Sequence, residues 1–171
     1  QHSLGITWTD TYESVLEKAI TSFPVLVSDT VSLLVEGRYK RTPQAHLLGS
    51  YFPARGEGDE WLNWADSSLN LYNKIRAITR PGPGARTFLG SKEVVIWKSR
   101  YDLSWPSYMA NPGPVVGIEP GLGGVRVKSG DSTLVVEEVQ VDRGEVRTPK
   151  WKIGTRLGLD YADAVRSSFE G

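Results

Sequence analysis

The run Arg80-Pro81-Gly82-Pro83-Gly84 divides the chain into two unlike parts. Proline has no backbone N–H to donate and glycine resists ordering, so neither a helix nor a strand continues through these five residues. Before the run, apolar residues recur at helical spacing; after it, they alternate. Upstream, Thr9-Asp10-Thr11 offers short polar side chains that can cap a helix start, and Val15, Leu16, Ala19, Ile20 and Phe23 follow on one face. Pro24 interrupts the stripe, which Val25-Leu26-Val27, Val31, Leu33 and Leu34 resume before Gly37. An interior proline costs a helix about 3 kcal/mol. The spacing therefore predicts two helices, or one kinked at Phe23-Pro24, with the stripe as a buried face.

Residues 37 to 61 are polar and irregular, with Pro43, Pro53 and a Gly56-Glu57-Gly58-Asp59 tip, and read as a linker. Asp66-Ser67-Ser68 caps a further helix with Leu69, Tyr72, Ile75 and Ile78 on one side. Beyond Gly84 the pattern is β. Residues 86–89 and 93–98 form a hairpin about Gly90-Ser91, and strands follow at 114–118, 125–128 and 132–141. Several short strands in so few residues suggest a small barrel, whose closure removes sheet edges. A short helix near residues 161–169 would seal one end. At the other terminus, Gln1-His2-Ser3-Leu4-Gly5-Ile6-Thr7-Trp8 alternates like a strand already under way, whose sheet partners would lie upstream.

Composition narrows the function classes. The 20 Lys and Arg balance 20 Asp and Glu, so no overall charge points to nucleic acid or membrane. No run in the sequence suggests the roughly 18 apolar residues that span a bilayer. The absence of cysteine excludes thiolate catalysis, disulfides and Cys-based zinc sites, and fits a cytoplasmic protein. His2 and His46 lack metal-ligand spacing and read as solvent or structural residues. No serine occupies a nucleophile elbow. Gly121-Leu122-Gly123-Gly124 has Arg126 where a phosphate-binding turn needs glycine, and a strand follows it, so it reads as a hairpin turn. Glu137 and Glu138 are adjacent on a strand and are expected on opposite faces. Between residues 74 and 100, seven cations face Glu93 alone, a local excess of six. A patch of that kind attracts phosphates; scattered over several faces, the same charges are ordinary surface, which is the reading favoured here.

Short stretches in order and register resemble one family. Trp61-Leu62-Asn63-Trp64, then Asn73-Lys74-Ile75-Arg76-Ala77-Ile78, then Pro81-Gly82-Pro83-Gly84-Ala85 are similar to segments of the methionyl-tRNA and sugar N-formyltransferases. Residues 88–97, Asn111-Pro112-Gly113-Pro114-Val115 and Ser129-Gly130-Asp131-Ser132-Thr133-Leu134 continue the resemblance, as do Asp10-Thr11-Tyr12-Glu13-Ser14, Thr42-Pro43-Gln44 and Tyr51-Phe52-Pro53-Ala54-Arg55 upstream. It covers roughly residues 8–140; the last 30 match no named segment, and Pro24 and Arg80-Pro81-Gly82 depart from the family pattern.

The resemblance implies an α+β chain. Residues 1–37 would be the terminal strand and helical arm of a Rossmann-like catalytic half, 38–61 a linker, and 62–171 a small OB-like β-barrel. It further implies that N10-formyltetrahydrofolate and a catalytic Asn, His and Asp trio belong to the missing N-terminal half; His2, His46 and Asp10 do not map onto that trio. The expected partners are that half and a nucleotide sugar or tRNA substrate, without a membrane. No catalytic residue is assigned to this chain. Tyr51, Arg55, Asn73 and Arg76 are the candidate substrate-binding residues: the first two to reach a phosphate or sugar, the second two to orient the junction between halves or to hold helix to barrel. The near-neutral charge favours a small acceptor. A methionyl-tRNA formyltransferase and a non-catalytic barrel module are the alternatives.

Overall fold

The computed structural model describes residues 1–121 and 123–158. It divides into two compact units, Gln1–Asp59 and Glu60–Gly171. The helix expected near 161–169 lies outside the described residues.

The first unit is built on α1 (Tyr12–Val35). Thr11 caps it: the Ser14 N–H donates to Thr11 Oγ1 at 3.4 Å, and the Thr11 N–H donates to Ser14 Oγ at 2.9 Å. Each short side chain satisfies the other's backbone donor. At the far end Gly37, at φ +67°, lets the Arg38 N–H reach back to the Leu33 carbonyl at 3.0 Å. Pro24 lies inside this one helix. Of the two readings the single helix is the one observed, and two separate helices are not: no residue of α1 is buried, so the carbonyl that proline leaves unpaired has solvent within reach.

Two further expectations about this unit fail. Residues 1–8 form no strand among the described residues. A strand needs a partner backbone, and here Thr7 turns instead, its N–H and Oγ1 donating to Asp10 Oδ2 at 2.5 and 2.9 Å. The apolar stripe is also not a buried face: Ile20, Phe23 and Val27 are each about 60% exposed. Contrary to the sequence reading, α1 is long and apolar enough, by length and composition alone, to cross a membrane; an 18-residue window has mean hydropathy 1.4. A stripe that would pack in the core of a soluble protein passes the same test. A 3₁₀ turn at His46–Leu48 is the other regular element of the unit.

The second unit places α2 (Ser68–Ile78) against a six-stranded antiparallel sheet. Its strands are β1 (Ala85–Leu89), β2 (Lys92–Arg100), β3 (Val115–Ile118), β4 (Val125–Lys128), β5 (Thr133–Val141) and β6 (Val146–Arg147). The order is β1-β2-β5-β4-β3, with β6 also on β5. Alternation along β2 and β5 turns Val94, Ile96, Leu134, Val136 and Val139 inward, where Leu71, Ile75 and Ile78 of α2 complete the core. Where β2 meets β5 the register slips on either side of Lys98. That irregularity corrects the expected separation of Glu137 and Glu138, since Lys98 Nζ lies 3.6 Å from one carboxylate and 3.9 Å from the other.

The closed OB-like barrel is not formed: no ladder joins β1 to β3 among the described residues. β3 is only four residues long, and its pairing with β4 slips between Val115 and Gly117. Irregular backbone fills the gap. Val115 N–H donates to Thr155 O (2.8 Å), Leu157 N–H to Gly113 O (2.9 Å), and Gly158 N–H to Phe88 O of β1 (2.9 Å).

Both ends of α2 are tied to this sheet. At its start Ser67 accepts from the Asn70 N–H, and the β4–β5 turn docks through the Gly130 N–H on Asp66 O at 2.9 Å. A Cβ on Gly130 would fall 2.0 Å from the Ala65 carbonyl oxygen. At the other end Thr79 Oγ1 donates to Trp97 O, and Gly84, at φ +77°, passes over Val95. Gly130→Ala is therefore expected to lower stability by about 2 kcal/mol or more through steric overlap, read as a fall in the thermal midpoint of the chain.

Candidate functional site

The four candidate residues fall in different units. Tyr51 and Arg55 lie in the irregular, exposed segment of the first unit. Asn73 and Arg76 lie one helical turn apart on α2, where Arg76 Nε donates to Asn73 Oδ1 at 2.9 Å. The same guanidinium sits 5.7 Å from the Tyr72 ring centroid. Asn73 and Arg76 thus form one polar patch on α2.

The cations of residues 74–100 are mostly engaged. Lys74 Nζ donates to Trp61 O at 2.6 Å; Arg86 pairs with Glu93 at 2.6 Å and lies 3.6 Å from Glu60; Lys98 faces Glu137 and Glu138. Arg100 donates to Glu137 at 2.9 Å and to Glu119 at 3.1 Å. Glu119 also takes two bonds from Arg126, whose guanidinium lies 4.0 Å from the Trp105 ring centroid. Burial pushes the Glu119 carboxyl up, but the bonds from Arg126 and Arg100 outweigh it and hold it below its ordinary range. The acidic partners Glu60, Glu119, Glu137 and Glu138 lie outside the 74–100 window, so a local tally of charge could not reveal them.

A second polar cluster holds the start of α2. Asp131 Oδ1 accepts from the Ser68 N–H at 2.8 Å and from Ser129 Oγ at 3.3 Å, while Ser68 Oγ and Ser129 Oγ are 2.5 Å apart. Burial raises the Asp131 carboxyl, but the backbone and hydroxyl donors of Ser68, with backbone donors at Ser132 and Asp131, bring it below its ordinary value. Beside it Lys128 is fully buried, its ammonium donating to Ser129 O at 2.6 Å and lying 4.7 Å from the Tyr108 ring centroid. Burial holds its pKa down despite the pull of Asp131. The sequence showed Ser129-Gly130-Asp131 as a segment of the family resemblance; its role as a helix anchor rests on a partner 63 residues away, which local spacing does not reveal.

Formyl transfer needs a donor to polarise the formyl carbonyl and a base for the attacking amine, converging on an open site. Lys128, Ser68 and Ser129 are sealed in the core and committed to one another. They do not fit that task, and no step is routed through them. Among the described residues no three His, Asp or Glu side chains gather as a metal site.

A helix anchored on a small antiparallel sheet, with buried polar groups holding the two together, makes the second unit an α+β domain. Residues 56–152 match the model of the formyl transferase C-terminal domain, and the chain belongs to that family. It is 31% identical over 129 residues to the bifunctional polymyxin resistance protein ArnA of Wigglesworthia glossinidia brevipalpis, covering 75% of this chain and 19% of that protein. A variant of HypX from Aquifex aeolicus shares the fold with a TM-score of 0.50 at 18% identity, over 85% of this chain and 23% of HypX. The chain spans about a fifth of each.

Asp131→Ala is expected to cost about 1 kcal/mol near neutral pH, since Ser68 and Ser129 lose their acceptor. The lowered carboxyl contributes stability that is complete above its ordinary value of 3.8 and is lost as pH falls through the folded-state value. The gap between parent and variant in urea unfolding should therefore stay level above pH 3.8 and shrink below it.

Proposed function

We propose that this chain is the C-terminal part of an N10-formyltetrahydrofolate-dependent N-formyltransferase acting on an amino group of a small molecule, such as a nucleotide-linked sugar. Family membership supports the reaction class. The observation that carries the choice of a small acceptor is the engagement of the basic segment: five of its seven cations, Lys74, Arg76, Arg86, Lys98 and Arg100, are held by carboxylates, a carbonyl or an amide of the same unit. Tracking an RNA backbone takes several cations free to replace counterions.

In this proposal the formyl donor and the catalytic trio lie outside these residues, and residues 1–37 belong with the catalytic half. Its sheet would cover the α1 stripe that is exposed here. Tyr51 and Arg55 would face the acceptor from the connector. Asn73 and Arg76 would orient the junction, Arg76 through the planar fork that Asn73 and Tyr72 hold in place.

Single-turnover assays with the isolated chain, formyl donor and an amino-sugar nucleotide should give no formylated product; product formation would refute the assignment. In a protein carrying both halves, Arg76→Lys should lower kcat/KM by about tenfold with an unchanged thermal midpoint, because lysine lacks the fork. Binding of tRNA by the chain should be weak at low salt. Tight binding that falls by about a thousandfold between 50 and 200 mM salt would favour the tRNA-dependent alternative.

A further inference from the structure

The outer face of the β1–β2–β5 ladder carries a cleft of ≈ 410 Å³ that none of the assignments above uses. The register sets Arg86 opposite Val95 and Val95 opposite Gln140, so three strands contribute one row of outward side chains. Glu93 and Trp97, two residues either side of Val95, extend that row along β2. Pro83 and Gly84 pass over Val95 and Trp97 so closely that a Cβ on Gly84 would fall 2.3 Å from Val95 Cγ1. They form a wall.

Trp97, Gln140, Arg86 and Glu93 are tied to one another or to the adjoining turn, and Asp142 also lines the cleft. Trp97 Nε1 donates to Gln140 Oε1 at 3.2 Å, Gln140 Nε2 donates to Gly144 O at 2.8 Å, and Arg86 pairs with Glu93. The floor is therefore set before any ligand arrives. Two guanidiniums are not spent in this way. Arg80 lies 4.8 Å from the Trp97 ring centroid, and Arg143 lines the cleft from the β5–β6 turn. Among the described residues neither has a carboxylate partner.

The turn that presents Arg143 is itself unusual. Asp142 and Arg143 stand at φ +47° and +60°, closed by the Gly144 N–H on Val141 O at 2.8 Å. A two-residue hairpin turn of this hand favours glycine at its second position. Here the glycine comes one residue later, and a long cationic side chain occupies the strained place.

We propose that this cleft binds a mononucleotide, with the base against Val95 and Trp97 and the phosphate held by Arg143. An indole beside an apolar floor suits a flat heterocycle. A guanidinium suits the phosphate. The inference goes beyond the assigned reaction and rests on residues 80–143 alone, so failure of one leaves the other standing.

Isothermal titration of the chain with uridine and adenosine 5′-monophosphates tests it, with Arg143→Gly as the variant. Glycine removes the cation and relaxes the positive φ, so folding is kept and the thermal midpoint should hold or rise. The expected result is submillimolar binding by at least one nucleotide, weakened about tenfold or more by Arg143→Gly and by omission of the phosphate. No binding at millimolar nucleotide would overturn the proposal, as would affinity unchanged in Arg143→Gly. Inorganic phosphate binding as tightly as the nucleotide, or a trinucleotide binding about a hundredfold tighter, would also overturn it.

Discussion

The sheet depends on both edges of β5 being occupied at once. One edge runs along β2 from Val94 to Arg100, while the other pairs first with β4 and then with β6. A strand so placed has no free backbone edge to expose, and its inward side chains can all be apolar. Leu134, Val136 and Val139 are fully buried accordingly. Packing of α2 follows, because its apolar face meets β2 and β5. The β4–β5 turn then secures the helix start through Asp131 and Gly130.

Local chemistry was legible in the sequence wherever one element decided the outcome. The Ser67 cap, the stop before Arg80-Pro81, the hairpin about Gly90-Ser91 and the strands on either side of Ser129-Gly130-Asp131 all stand close to where periodicity and turn residues put them. What failed were statements about partners. Residues 1–8 alternate like a strand, yet alternation fixes only which faces differ and supplies no neighbouring backbone. Closure of a barrel depends on β1 reaching β3, and a short, slipped β3 leaves that to residues 154–158, which show no strand pattern.

The candidate site was legible to the same degree. Asn73 and Arg76 lie on one helix, so their spacing sufficed to bring them together. Tyr51 and Arg55 sit in a segment without regular structure, where spacing carries no such information. The excess of cations at 74–100 left both a phosphate patch and, as the favoured reading, ordinary surface open, because the carboxylate partners of Lys98 and Arg100 come from β5 and from the residue after β3. Pairing across a sheet, not composition, decides which charges remain for a ligand. By that measure Arg80 and Arg143 are available, and Arg86 and Arg100 are committed.

Buried polar groups of the second unit hold helix to sheet around β5. Amide hydrogen exchange on the chain reads this most directly, since protection ranks segments by the free energy needed to open them. The slowest amides should be those of Val135, Val136 and Val139 with their β2 partners, and α1 should exchange far faster, for it buries no residue. Exchange of β5 as fast as α1, or α1 as the most protected segment, would contradict a module organised around that strand.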